Sequence, residues 1–201
     1  MTSTPTLVGL IGRKGSGKDT AAAALLSQGY QNVKFAGALK DMIRCLLAYQ
    51  GVDAETIERM VEGDLKETPT PHLAGQTPRY AMQTLGTEWG RDLIGEHFWA
   101  AVTMARVGDR KTVITDVRFP NEVEAVESAG GVPFGVTADW IKPVEGEHES
   151  ERLIDDLIAA LPEGQKIVNR KALSEAALAV TIETFRQRFL SKLAVLSEGE
   201  T

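Results

Sequence analysis

A single cysteine in 201 residues leaves no disulfide to be made within the chain, which excludes a thiol-stapled secreted scaffold. That residue, Cys45, sits in an apolar helical pattern with Met42, Ile43, Leu46 and Leu47, so a buried structural thiol is expected. Basic residues are also short: 22 Lys and Arg against 28 Asp and Glu give a net charge of −6. No broad basic face is then available for a nucleic-acid polymer. The apolar runs fall well short of a membrane span. The N-terminal stretch lacks a basic region ahead of an apolar one, so neither a membrane anchor nor a signal peptide is expected. The three histidines, His72, His97 and His148, lack metal-ligand spacing, which argues against a histidine-held metal. Internal repeats and low-complexity tracts are missing as well. These exclusions leave a cytoplasmic globular chain, 43% hydrophobic and long enough for an α/β domain with a full core.

What the chain does have is concentrated between Leu7 and Gln28. An apolar run (Leu7, Val8, Leu10, Ile11) ends at Gly12, where Gly12-Arg13-Lys14-Gly15-Ser16-Gly17-Lys18 begins, and an Ala-rich helical pattern follows. Strand, glycine-rich loop and helix form the context that gives G-x-x-x-x-G-K its meaning. The glycines allow successive N–H groups to face one concavity that holds phosphate oxygens. The helix adds the positive end of its dipole, and Lys18 adds a full charge near the β- and γ-phosphates. Gly12, Lys14, Gly15, Ser16, Gly17, Lys18, Asp19 and Thr20 are therefore the residues expected to bind a nucleoside triphosphate. The position after the lysine, usually Ser or Thr, is Asp19, with the hydroxyl one place later at Thr20. Asp19 could ligate Mg²⁺, hold one of its waters, or cap the helix.

Downstream, strands are expected over 31–36, 111–117, 132–137 and 166–169, alternating with helical patterns, the last from about Ile182 to Leu196. That alternation predicts a parallel five-stranded sheet covered on both faces. Asp53 reads as a helix N-cap, and 64–77, with Pro69 and Pro71, as a long loop. From Arg79 to Ile94 helical spacing resumes, with Gly86 and Gly90 predicting a kink or two short helices. After Pro120, Glu122, Glu124 and Glu127 are expected to face water. Asp116 ends the strand KTVITD, where a second Mg²⁺ carboxylate belongs, and Arg118 follows in a loop at the same edge. Arg79 and Arg91 could clamp an acceptor phosphate, Gln83 could read a base edge, and Trp89 could stack on one.

The segments GRKGSGKDT, KFAGALKD, TPRYAMQTLGTEWGRDLIGEHFW, VITDVRFPNEVEAVESAGG, EHESE and IVNRKALSE resemble the bacteriophage deoxynucleoside monophosphate kinases across nearly the whole chain. The resemblance implies a P-loop NTPase of the nucleoside monophosphate kinase-like, three-layer α/β fold. It implies ATP with Mg²⁺, a deoxynucleoside monophosphate acceptor, and a homodimer in host cytoplasm. Residues 1–201 would form one kinase domain, with an acceptor-binding helical insertion about 38–106 and a lid about 138–152. The catalytic set would be Lys18, Asp19, Asp116 and Arg118, with Asp19 and Asp116 at the metal. The acceptor set would be Lys40, Arg79, Gln83, Trp89, Arg91, Arg118 and Trp140. Two other readings remain: another small-acceptor kinase, such as dephospho-coenzyme A kinase, or a nucleotide-dependent switch without an acceptor. Against a GTP switch, no N-K-x-D base-reading motif occurs; after the last strand the chain reads Asn169-Arg170-Lys171-Ala172.

Overall fold

The computed structural model describes residues 5–142, 149–172 and 178–198. The part of the expected lid that falls on 143–148, His148 included, lies outside them. The chain divides into two compact units, Met1–Lys34 with Val107–Thr201, and Phe35–Arg106.

The first unit is built on five parallel strands in the order β2-β3-β1-β4-β5: β1 (Leu7–Ile11), β2 (Gln31–Val33), β3 (Thr112–Val117), β4 (Val132–Ala138) and β5 (Lys166–Asn169). β1 is buried at every position, as a central strand covered on both faces must be. Helices α1 (Lys18–Leu26), α6 (Pro120–Ser128), α7 (Glu149–Ala160) and α8 (Leu178–Glu198) belong to this unit. Phe185, Phe189 and Leu193, spaced four apart on α8, enter one core with Val8, Leu10 and Phe134. There Phe189 meets Phe134 edge-on, with ring centroids 5.0 Å apart. In register, Ile11 pairs with Val117 on one side and Gly135 on the other. The carboxyl ends of β1 and β3 are therefore level, with β4 continuing past Gly135 to Ala138, and the loops leaving β1 and β3 emerge at the same edge.

The second unit is helical: α2 (Gly37–Tyr49), α3 (Ala54–Val61), α4 (Pro78–Thr84), a π-helix over Leu85–Ile94, and α5 (Phe98–Val107). The long loop contains two 3₁₀ turns, Asp64–Glu67 and Pro71–Leu73. Asp53 caps α3 by accepting from the Thr56 N–H at 2.9 Å. Ile43, Leu47, Ile57, Met60, Val61 and Met82 form its core. Among the described residues no helix is long and apolar enough to cross a membrane.

Three local expectations are corrected. Cys45 is exposed, because the buried stripe of α2 runs through Ile43 and Leu47 and a residue two places from Ile43 falls on another face. Glu122 is buried, at 4% exposure, because its carboxylate serves the start of α6. The expected break at Gly86 and Gly90 is a continuous wide helix instead. Gly90 lies against the Trp99 indole, where an added Cβ would come within 2.5 Å of Cε2, and the indole N–H donates to the Gly86 carbonyl at 2.8 Å. The π-turns make room for one buried tryptophan.

Candidate functional site

The loop between β1 and α1 has the conformation that the glycines were expected to supply. Gly15 (φ 79°) and Gly17 (φ 105°) adopt left-handed geometry, which residues with a Cβ rarely take. Gly12 is confined differently: a Cβ there would run into the Val136 carbonyl and lie 2.6 Å from Ser16 Oγ. The Lys18 ammonium folds back over the loop, donating to the Gly12 carbonyl and to the Arg13 carbonyl, the latter at 2.8 Å. Among the described residues no side chain caps α1, and its first-turn N–H groups face the loop's concavity as potential donors.

Several residues outside the motif hold this loop in place. The Arg13 guanidinium is buried and donates two parallel hydrogen bonds to Asp155 of α7, at 3.0 and 2.8 Å. Asn169, at the end of β5, donates from its side-chain amide to the Ser16 carbonyl at 3.2 Å. The Ser16 hydroxyl is buried and, among the described residues, has no hydrogen-bond partner. At the end of β3, the Arg118 and Phe119 N–H groups donate to one Glu122 carboxylate oxygen, at 2.8 and 3.2 Å. That anchors the turn carrying Arg118. Arg13, Asp155, Asn169 and Glu122 were all missed in the sequence. Only Glu122 carries a local signal, as an acid at the third position of a helix opened by proline.

An open cleft of about 540 Å³ adjoins the phosphate loop, lined by Gly15, Gly17, Thr20, Trp140, Asn169 and Phe185 among others. Trp140, expected with the acceptor residues, thus lies in the first unit beside Gly15 and Gly17. Arg170 and Lys171 also face this cleft, and the Lys171 N–H donates to Asp139 at 3.2 Å, linking the ends of β4 and β5. Asp19 is exposed in the first turn of α1, and Asp116 is partly buried at the end of β3. Carboxylates and the Thr20 hydroxyl are the oxygen donors that Mg²⁺ takes while keeping several waters. Among the described residues no group of three His, Cys, Asp or Glu gathers as a cage.

Lys40, Arg79, Gln83, Trp89 and Arg91 all fall in the second unit. Gln83 and Arg79 are exposed, Arg91 partly so. Lys40 is paired with Glu62 and Arg79 with Glu67. Trp89 packs at 5.5 Å from the Phe98 ring and 6.0 Å from Trp99, yet keeps 36% of its surface exposed. Arg44 joins Asp41, Glu58 and Glu62, and its guanidinium is held further above its ordinary value, first by the Glu58 hydrogen bond.

A phosphate loop leaving the central strand of a five-stranded parallel sheet, with Asp116 and Arg118 at the same edge, defines a P-loop NTPase fold. No family model matches the chain. It is 30% identical over 191 residues to the "Putative deoxynucleotide monophosphate kinase" of Acanthamoeba polyphaga mimivirus, covering 84% of this chain and 91% of that protein. It is 33% identical over 84 residues to the deoxynucleoside-5'-monophosphate kinase of Escherichia phage T5, covering 37% of this chain and 34% of that one. Among solved structures it aligns with a gluconokinase from Sinorhizobium meliloti 1021 at a TM-score of 0.42 and 17% identity, over 97% of this chain and 95% of that chain. The chain belongs to the viral deoxynucleoside monophosphate kinase family, and it is an ATP-dependent kinase.

Proposed function

We propose that the enzyme transfers the γ-phosphoryl group of ATP to a deoxynucleoside 5'-monophosphate, giving ADP and the deoxynucleoside diphosphate. The observation that carries this reading is a second unit, with a core of its own, that bears Lys40, Arg79, Gln83 and Arg91. A nucleotide switch has no use for a separate set of cations and a base-reading amide. The names of the two viral relatives support the same acceptor class.

On the donor side, backbone N–H groups from Gly12 to Lys18 would cradle the triphosphate, and Lys18 would leave its two carbonyls for the β- and γ-oxygens. Trp140, which lines the cleft with Gly15, Gly17 and Asn169, is assigned here to the donor nucleoside. Asp19, Thr20 and Asp116 would hold Mg²⁺ directly or through water, and that ion supplies charge neutralisation of the phosphates when bound. Arg118 would contact the transferring phosphoryl, where charge spreads over equatorial oxygens. Arg79 and Arg91 would bind the acceptor phosphate, with Gln83 and Trp89 toward the base. A homodimer acting in host cytoplasm belongs to the same proposal.

The test is a coupled ADP-release assay with ATP against deoxy- and ribonucleoside monophosphates, dephospho-coenzyme A and no acceptor. Turnover should require a deoxynucleoside monophosphate. Release of ADP without any acceptor would favour a switch, and turnover confined to dephospho-coenzyme A would replace the acceptor class.

A further inference from the structure

Lys40, Lys66 and Arg79 form a cationic cluster in the second unit, and a carboxylate answers two of them. Lys40, in the first turn of α2, donates to both oxygens of Glu62, at 2.9 and 2.8 Å. Arg79, at the start of α4, is paired with Glu67. Lys66 sits between those two carboxylates in sequence, on the 3₁₀ turn Asp64–Glu67, which packs against α4. Among the described residues, its ammonium has no hydrogen-bond or ion-pair partner. Lys66 is also half-buried.

Such a lysine has an ordinary explanation: a long stem lies along apolar surface while the head reaches water. That account does not explain its company. Desolvation, and then the charges of Lys40 and Arg79, hold the Lys66 ammonium below its usual lysine value, against weaker support from Glu62 and Glu67. An unpaired, partly desolvated cation beside two others destabilises the unit that carries it. An incoming dianion would reverse that penalty. Lys40 and Arg79 already have counter-charges, so Lys66 is the cation with its charge uncommitted.

We propose that Lys66 receives the phosphate of the acceptor monoester, with Lys40 and Arg79 adding to the same positive field. The inference rests on the kinase reading above and adds to it a residue that neither the motif nor the loop composition marks. A lysine suits this task as a compact charge with three donors, needing no fixed fork.

Lys66→Met tests it, measured by acceptor titration at saturating ATP beside ATP titration and thermal melting. The acceptor KM should rise by about tenfold to a hundredfold, the scale of one lost hydrogen bond to a charged group. The ATP KM should hold, and Tm should stay or rise, because a strained charge has been removed. Lys66→Arg, which keeps the charge, should recover much of the acceptor KM. A purely structural lysine predicts a lower Tm with an unchanged acceptor KM, and that result overturns the proposal, as does a parallel change in both KM values. If the parent enzyme phosphorylates no nucleoside monophosphate, the acceptor reading itself fails. Lys66 is then read with inorganic phosphate as probe: protection of its amine from acylation, followed by mass spectrometry, keeps the anion site, and undiminished acylation removes it.

Discussion

In the proposed reaction Lys18 and Arg118 would do different work, and their substitutions should look different. Lys18 is held over the loop by the Gly12 and Arg13 carbonyls, at the place where the triphosphate charge would concentrate. Lys18→Ala should therefore lower kcat by roughly three decades, the scale of electrostatic groups in phosphoryl transfer. Arg118 leaves the end of β3 in a turn fixed by Glu122. Its planar fork can contact two oxygens, whereas lysine keeps only the charge. Arg118→Lys should lower kcat by roughly 10²-fold while ATP affinity by calorimetry barely moves. A lysine variant as fast as the parent would leave Arg118 as a surface charge. The candidates Lys18, Asp116 and Arg118 were legible because each stands at a fixed offset from a strand end. The supports were not, because Arg13 finds Asp155 across 142 residues and Asn169 finds Ser16 across 153. No local pattern encodes such a partner.

At the scale of elements, most of the strand and helix pattern was readable from hydrophobic spacing and caps, the strand KIVN and the helix after Asp53 included. The π-helix was not. Its sequence shows two glycines inside a helical pattern, and a break is the ordinary inference. The wider turn is required by Trp99, which lies in a later helix and cannot be paired with Gly90 from spacing alone. The two glycines should respond differently to alanine. At Gly90 the new Cβ would press on the buried indole, within 2.5 Å of Cε2 and 2.8 Å of Cζ2. Overpacking of that kind costs about 1–3 kcal/mol. At Gly86 the nearest atom is Leu39 Cδ2 at 3.4 Å, an ordinary contact, and the carbonyl that accepts from Trp99 is kept. Gly86→Ala should be neutral, or stabilising by up to about 1 kcal/mol through helix propensity. Denaturant melts of both variants decide it: equal losses would mean that the Trp99 contact does not set the width of this helix.

For the whole molecule, the division into two units makes a kinetic prediction. The phosphate loop, Trp140, Asn169 and Arg118 lie in one unit, and Lys40, Arg79, Gln83 and Arg91 in the other. Each unit has its own buried apolar cluster, Phe134 with Phe189 in the first and Ile43, Leu47 and Met82 in the second. A substitution of an exposed side chain in one cluster's unit should therefore leave the fold of the other intact. Donor and acceptor constants should then separate by unit. Arg79→Ala should raise the KM for the deoxynucleotide by about tenfold or more, the scale of a lost charged hydrogen bond. ATP binding measured by calorimetry without acceptor should match the parent. Asn169→Ala should do the reverse, since its amide supports the Ser16 carbonyl of the phosphate loop in the first unit, whereas the proposed acceptor residues Arg79 and Arg91 lie in the second. Mutating Arg79 removes one half of an exposed pair with Glu67, which is worth little to stability, so a melting curve should show no loss that could mimic the kinetic effect. If Arg79→Ala weakens ATP binding and Asn169→Ala shifts only the acceptor KM, the assignment of donor and acceptor to the two units is reversed.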